Sequence, residues 1–222
     1  MTPGGASGGS KIAGVSREGT VARKITSLEP EDAAQIEEAV GEILDSIPGH
    51  VWDGRSLPVP IEEIAREVYG LRICVVGHDR MREVVGEGLC DGTVSGLLLT
   101  GIGEIWINED ELKDPQWGAQ RGRFTAGHEL GHFVMHQKAR PAIYCRSSEA
   151  GESLDTEPTP RVVPEVEANT FSAALLIPAA LIRAELDVRG QSDEESIRIL
   201  MARFGASQKA MSRRVRTLRE IS

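Results

Sequence analysis

Three histidines spaced four residues apart, with a glutamate directly after the first, mark the segment RFTAGHELGHFVMHQ (residues 123–137). Residues four apart lie on one face of a helix, so His128 and His132 can direct ring nitrogens to a single metal ion. Glu129 lies about 100° further round the helix and can reach a water molecule on that ion. His136 is separated from His128 by about 12 Å of helix rise, which is too far for both to bind one ion. The segment predicts two histidine ligands and a base on one helix.

The alternative for this helix is structural, with buried histidines satisfied by hydrogen bonds. Gly127 and Gly131 argue against it, because a glycine inside a helix costs roughly 1 kcal/mol and normally has a packing or functional reason. Small residues at these positions let another element approach the histidines closely. We therefore expect a metal whose third ligand comes from a second helix, with water in the fourth position, as in catalytic zinc sites.

Two glutamates on the segment PEVEANTFSAALLIP compete for the role of third ligand. Helical periodicity places Glu167 on an apolar stripe that must face the interior. The stripe consists of Phe171, Ala174 and Leu175. Glu165 shares its face with Asn169 and Ser172 instead, which predicts a solvated side chain. Because a carboxylate within an apolar stripe is costly unless it is paired or bound to a metal, Glu167 is the predicted ligand.

The two motifs RFTAGHELGHFVMH and EANTFSAALLIP together resemble the ImmA/IrrE family of zinc-dependent metallopeptidases. Members show a similar FT-HExGH helix and a similar EAN-FA-LLxP helix, and the resemblance extends more loosely from Ile61 to about Leu218. It implies a gluzincin-like peptidase site with Glu167 as third ligand and Glu129 as the catalytic glutamate. Gly127 and Ser172 depart from the more usual residues without touching the ligands.

The resemblance also implies a substrate class, because family members commonly cleave DNA-binding repressors or regulate stress responses and mobile elements. We expect one Zn²⁺ per chain and a protein substrate, namely a helix-turn-helix repressor cut in an exposed linker. The strand GEIWINED before the histidine helix is predicted to offer its backbone to the extended substrate. The competing function is a non-catalytic regulator of the same fold that binds DNA or a partner.

The expected mechanism is metal-assisted hydrolysis, in which Glu129 takes a proton from zinc-activated water and later protonates the leaving amine. A further donor to the oxyanion is normally needed. The candidates are His136, Tyr144 and Arg123, among which the sequence does not choose. A structural role for His136 is equally open.

The remaining pattern predicts one α+β domain over residues 29–222, after a Gly/Ser-rich flexible tail at residues 1–28. A small antiparallel sheet, with a hairpin around GIG, should pack with a helical zincin-like core. A long polar connection is expected over residues 137–164, and a C-terminal helix pair over about 193–220. That pair carries a basic cluster, for which a packed helix pair is favoured over DNA recognition. The cluster consists of Arg213, Arg214, Arg216 and Arg219.

The net charge and the cysteine content limit the classes of partner and the cellular compartment that we expect. The chain has 25 Lys plus Arg against 34 Asp plus Glu, a net charge of −9, which disfavours broad attraction to nucleic acid or an anionic membrane. Three cysteines without a CxxC pair suit a reducing compartment. No apolar run approaches 18 residues. We therefore predict a cytoplasmic protein with neither a membrane partner nor direct nucleic-acid binding.

Overall fold

The computed structural model describes residues 28–86, 94–136, 144–147, 162–189 and 194–221. In chain order its elements are α1 (Pro30–Ser46), α2 (Ile61–Tyr69), β1 (Arg72–Val76), α3 (His78–Val85), β2 (Val94–Leu99), β3 (Glu104–Asn108), α4 (Glu109–Leu112), α5 (Gly118–His136), β4 (Tyr144–Ser147), α6 (Val162–Leu176), α7 (Ala179–Arg189), α8 (Glu194–Phe204) and α9 (Gln208–Glu220). The predicted α+β class is confirmed. The predicted tail and most of the polar connection between α5 and α6 lie outside the described residues.

The two helices before the sheet begin and end where their terminal residues favour it. Pro30 starts α1, with acidic residues in the first turn that suit the positive end of the helix dipole. Gly70 ends α2 with a φ of 67°, and its N–H donates to the carbonyls of Ala65 and Arg66. Both helices place their apolar faces in the main core.

The four described strands form one sheet in the order β1-β3-β2-β4. The predicted hairpin is present as β2 and β3, but β1 runs parallel to β3, so the sheet is mixed and not purely antiparallel. The parallel pair arises because α3 and β2 lie between β1 and β3 in the chain. With β1 and β2 as neighbours, β3 has both edges occupied. The prediction that GEIWINED offers its backbone to a substrate is therefore wrong.

Each face of the sheet carries a separate hydrophobic cluster, because side chains alternate along the strands. Leu98 and Ile105 join the main core beneath α5, whereas Leu97 and Trp106 face the opposite side. The helix α3 covers that second face with two buried side chains, those of Met81 and Val85. The α3 helix, which is short and strongly polar, was not predicted.

The C-terminal helices α8 and α9 pack on the main core, as the sequence favoured. Gly205 makes the turn between them with a φ of 59°, and Ser207 caps α9 by accepting a hydrogen bond from the N–H of Ala210. Arg214, however, is not part of a basic face. Its side chain is buried, and its guanidinium donates to the Ile177 carbonyl at 2.8 Å and pairs with both carboxylate oxygens of Glu37.

Replacing Arg214 by leucine is expected to lower the free energy of unfolding by about 3 kcal/mol, because it leaves the shielded Glu37 carboxylate unpaired. Arg216→Leu, which removes an exposed pair with Glu220, should change it by less than about 0.5 kcal/mol. Urea unfolding of the two variants provides the comparison. A double change of Glu37 and Arg214 to leucine should recover most of the loss, and equal small effects of both single changes would contradict a structural role for Arg214.

No single helix within the described ranges is both long enough and apolar enough to cross a membrane. The segments Pro164–Leu176 and Ala179–Leu186 satisfy that test only when taken together, and they meet at an angle of 54°.

Candidate metal centre

The predicted site residues of α5 lie inside the molecule. His128, Glu129 and His132 are buried, with exposed fractions of 0%, 0% and 1%. Packing around them is close because the helix has glycines on the side that faces α6. A methyl group at Gly127 would lie 2.6 Å from Ser172 Oγ, and one at Gly131 would lie 3.2 Å from the Ala168 Cα. The glycines therefore let α6 approach the histidines, as their positions in the sequence predicted.

The two histidine rings meet through their Nε2 atoms, which are 3.1 Å apart, with the ring planes at 87°. The carboxylate of Glu165 lies against both, with Oε2 3.2 Å from His128 Nε2 and Oε1 3.2 Å from His132 Nε2. A tetrahedral zinc ion with bonds near 2.0 Å holds its ligand atoms about 3.3 Å from one another. Two imidazoles and one carboxylate are also a usual ligand set for catalytic zinc, so the residues present fit the ion.

The structure brings Glu165, not the predicted Glu167, to the two histidines. The Glu167 carboxylate lies 3.5 Å from His136 Nε2 instead. The choice from periodicity failed because α6 packs on α5 through its small and polar residues. Ser172 Oγ donates to the Phe124 carbonyl of α5 at 2.9 Å, so the polar face of α6 is a helix contact and not a solvated surface. Glu165 shares that face, whereas the apolar stripe of α6 packs into the main core.

Electrostatics favour a charged carboxylate at this position. Burial opposes ionisation of Glu165, but the hydrogen bonds and charges of His128 and His132 outweigh it and lower the Glu165 pKa to about 2. At Glu167 burial and the nearby charge of Asp32 raise the pKa. The pKa values of the two carboxylates are therefore shifted in opposite directions, and Glu165 is the one held ionised beside the histidines.

Asn169 lies one helical turn after Glu165 and orients the first histidine. Its Oδ1 is 3.2 Å from His128 Nδ1. When the amide oxygen accepts a hydrogen bond from Nδ1–H, Nε2 carries no proton and is free to bind a metal ion. The sequence analysis placed Glu165, Asn169 and Ser172 on one face but set Glu165 aside as solvated, and it assigned no role to Asn169. The four-residue spacing of Glu165 and Asn169 on an otherwise apolar helix, continued by Ser172, is the signal that could have identified this face as a contact.

Replacing Asn169 by leucine is expected to weaken zinc binding about 10- to 100-fold, because the tautomer of His128 is no longer fixed. Asn169→Asp has nearly the same shape, keeps an acceptor oxygen and should retain most of the affinity. Competition against a chromophoric chelator measures both. Equal weakening by the two changes would show that the Asn169 side chain acts by some means other than accepting this hydrogen bond.

The three candidate oxyanion donors have different positions. Arg123 has other contacts, since its Nη2 donates to the Val59 carbonyl at 2.7 Å and its Nε lies near Gly205. These contacts argue against Arg123, one of the three open candidates, as the oxyanion donor. His136 is one turn beyond His132, with ring centroids 5.4 Å apart, and burial together with the His132 charge lowers the His136 pKa. Tyr144 begins β4, and its side chain lies outside the described atoms, so that prediction stays open.

Comparison with known proteins agrees with this geometry. Residues 101–216, which are 116 of the 222 residues, match the family described as the IrrE N-terminal-like domain, Peptidase M78. The chain belongs to the Peptidase M78 family. The matched region of this M78 chain contains α5, α6 and all three residues of the cluster that could hold a metal ion. The predicted family resemblance is thereby confirmed.

One solved structure similar to this M78 chain is described as a Mycobacterium tuberculosis transcriptional regulator. The two share 17% sequence identity with a TM-score of 0.46, and the match covers 85% of this chain and 47% of that one. This M78 chain thus spans about half the length of that regulator. No curated protein sequence matches the chain.

Proposed function

We propose that the protein is a zinc-dependent endopeptidase. The observation that carries the proposal is the convergence of His128, His132 and Glu165 beside Glu129, a buried carboxylate on the same helix. Glu129 follows the first histidine at the spacing that metallopeptidases need for a base. Membership of the Peptidase M78 family supports the same activity.

Each residue then has a distinct role. A zinc ion bound by His128, His132 and Glu165 would supply an acidic water and polarise the substrate carbonyl. Glu129 accepts the proton of the attacking water on a carboxylate oxygen and passes it to the leaving amine. Asn169 holds the His128 ring in the tautomer that leaves Nε2 unprotonated. His136, which is paired with Glu167 beside His132, is the remaining described candidate for an oxyanion contact.

The proposed substrate is an extended segment of a helix-turn-helix repressor, cut in an exposed linker, which places the reaction in the cytoplasm. Backbone pairing to a sheet edge is the usual way to hold such a segment. Among the described strands the sheet ends at β1 and β4, and β4 neighbours β2, the strand that contacts Glu129. We assign the outer edge of β4 to the substrate in place of β3.

Zinc-reconstituted protein incubated with purified candidate repressors tests this proposal. We expect about one zinc per chain and a single cut in an interdomain linker, located by mass spectrometry. His128→Ala should abolish both zinc binding and cleavage. Zinc-loaded protein that binds a repressor without cutting it, and that also leaves unfolded casein intact, would favour the non-catalytic regulator.

A further inference from the structure

The strand β2 contacts the proposed base at a residue without a side chain. A methyl group at Gly96 would lie 2.7 Å from Glu129 Oε1 and 3.2 Å from Glu129 Cγ. It would also lie 2.4 Å from the Cγ2 of Thr125, which precedes Glu129 by one turn of α5. Cβ atoms essentially never make contacts below 3.0 Å, so a side chain and these two groups cannot share the space. The backbone of Gly96 thus forms the wall against which the Glu129 carboxylate rests.

The backbone at Gly96 is fixed on both sides. Gly96 is opposite Ile107 in β3 and opposite Arg146 in β4, at the point where the β2–β4 register shifts. The residues just before it are held as well, since the Val94 carbonyl accepts a hydrogen bond of 2.8 Å from Asn108 Nδ2. Because the strand cannot retreat without breaking these pairs, an added side chain at Gly96 must displace the groups on α5.

Thr125 and Glu129 differ in how they can respond. Thr125 is buried and branched at Cβ, so its methyl group has few alternative positions on a helix. The Glu129 carboxylate stands at the end of a longer, unbranched side chain and can change rotamer more readily than the Thr125 methyl group can move. The first consequence of a side chain at Gly96 is therefore a shifted carboxylate, with the two histidines left in place.

We propose that Gly96 is a positioning residue, whose missing side chain keeps the Glu129 carboxylate in the orientation needed to accept a proton. This inference rests on the proposed peptidase function. It differs from a general packing role, because a packing defect would reduce stability or metal binding, whereas a displaced base reduces only the chemical step. Misplacement of a reacting group by about 1 Å can cost about 100-fold in rate.

The test compares Thr125→Ser with the double variant Gly96→Ala/Thr125→Ser. Serine removes the Thr125 Cγ2 atom, so the two remaining closest contacts of the added methyl group are both with the Glu129 side chain. Gly101→Ala, in the turn between β2 and β3, is the matched glycine control, because a methyl group there meets nothing within 4 Å. We expect the double variant to keep zinc content, melting temperature and KM while its kcat falls about 100-fold below that of Thr125→Ser. Gly101→Ala and Thr125→Ser should retain normal activity.

A double variant with the kcat of Thr125→Ser would overturn the inference, and so would loss of zinc or of folding in proportion to the loss of activity. If the unaltered zinc-loaded protein cleaves nothing, the proposed function fails, and crystal structures of the same two variants decide about Gly96. We expect the carboxylate to differ in position by about 1 Å or more between them. An unmoved Glu129 carboxylate in the double variant would refute the positioning role independently of activity.

Discussion

Glutamine at position 129 is expected to lower kcat for peptide hydrolysis by about 10²- to 10⁴-fold while zinc content stays unchanged. The side chain is fully buried and Gly96 leaves room for it, so glutamine, which has the same shape, should fit without disturbing α5. The amide cannot take a proton from water, and the change therefore removes the base and little else.

Cleavage rate and zinc content should be measured on the same preparation of the Glu129→Gln variant. Glu83→Gln, a change at an exposed side chain on α3, serves as a control for loss of one negative charge. It should leave both quantities at their original values. Normal activity of Glu129→Gln would reject Glu129 as the base and require another proton acceptor near the histidines.

Replacing Glu165 by alanine should weaken zinc binding by more than about 100-fold. This is a larger loss than is usual when a residue that only hydrogen-bonds to a metal ligand is removed. The two carboxylate oxygens of Glu165 lie 3.2 Å from the histidine nitrogens, so the change removes a proposed ligand atom. Glu167→Ala is the matched control two residues further along α6. It removes the contact with His136 Nε2, at 3.5 Å, but no atom of the His128, His132 and Glu165 cluster, and should alter zinc affinity little.

Both affinities can be obtained by competition with a chelator of known zinc affinity, followed by metal analysis after gel filtration. The comparison is decisive because both glutamates carry one charge and lie on the same helix. A stronger effect of Glu167→Ala than of Glu165→Ala would mean that, when the metal is bound, α6 is rotated about its axis relative to its orientation in this structure.

Local signals explain why much of the fold was predictable. The histidine pair and Glu129 follow from helix geometry within one element, and the structure confirms that both rings face each other. The C-terminal helix pair predicted over about 193–220 is also present, as α8 and α9, with Gly205 and Ser207 between them.

Contacts between elements explain the errors. Because α6 is buried on nearly all sides, its apolar stripe does not indicate which side faces α5. Glu167, the glutamate on that stripe, was therefore the wrong choice. The Gly96 contact joins a strand to a helix 33 residues away in the chain, counting from 96 to 129. The parallel pairing of β1 with β3 is likewise nonlocal. Periodicity within one segment contains no information about any of these neighbours.

The ion pair between Glu37 and Arg214 has a consequence for the order of events during synthesis. The partners are 177 residues apart in the chain, which at about 5 to 20 residues per second corresponds to roughly 9 to 35 s of translation. His128 and Glu165 are 37 residues apart, or roughly 2 to 7 s at the same rates. All three residues of the His128, His132 and Glu165 cluster are therefore synthesised before α9 exists. Until then α1 can already pack on α6, but Glu37 has no Arg214 to pair with, so this ion pair is among the last long-range contacts that the chain can form.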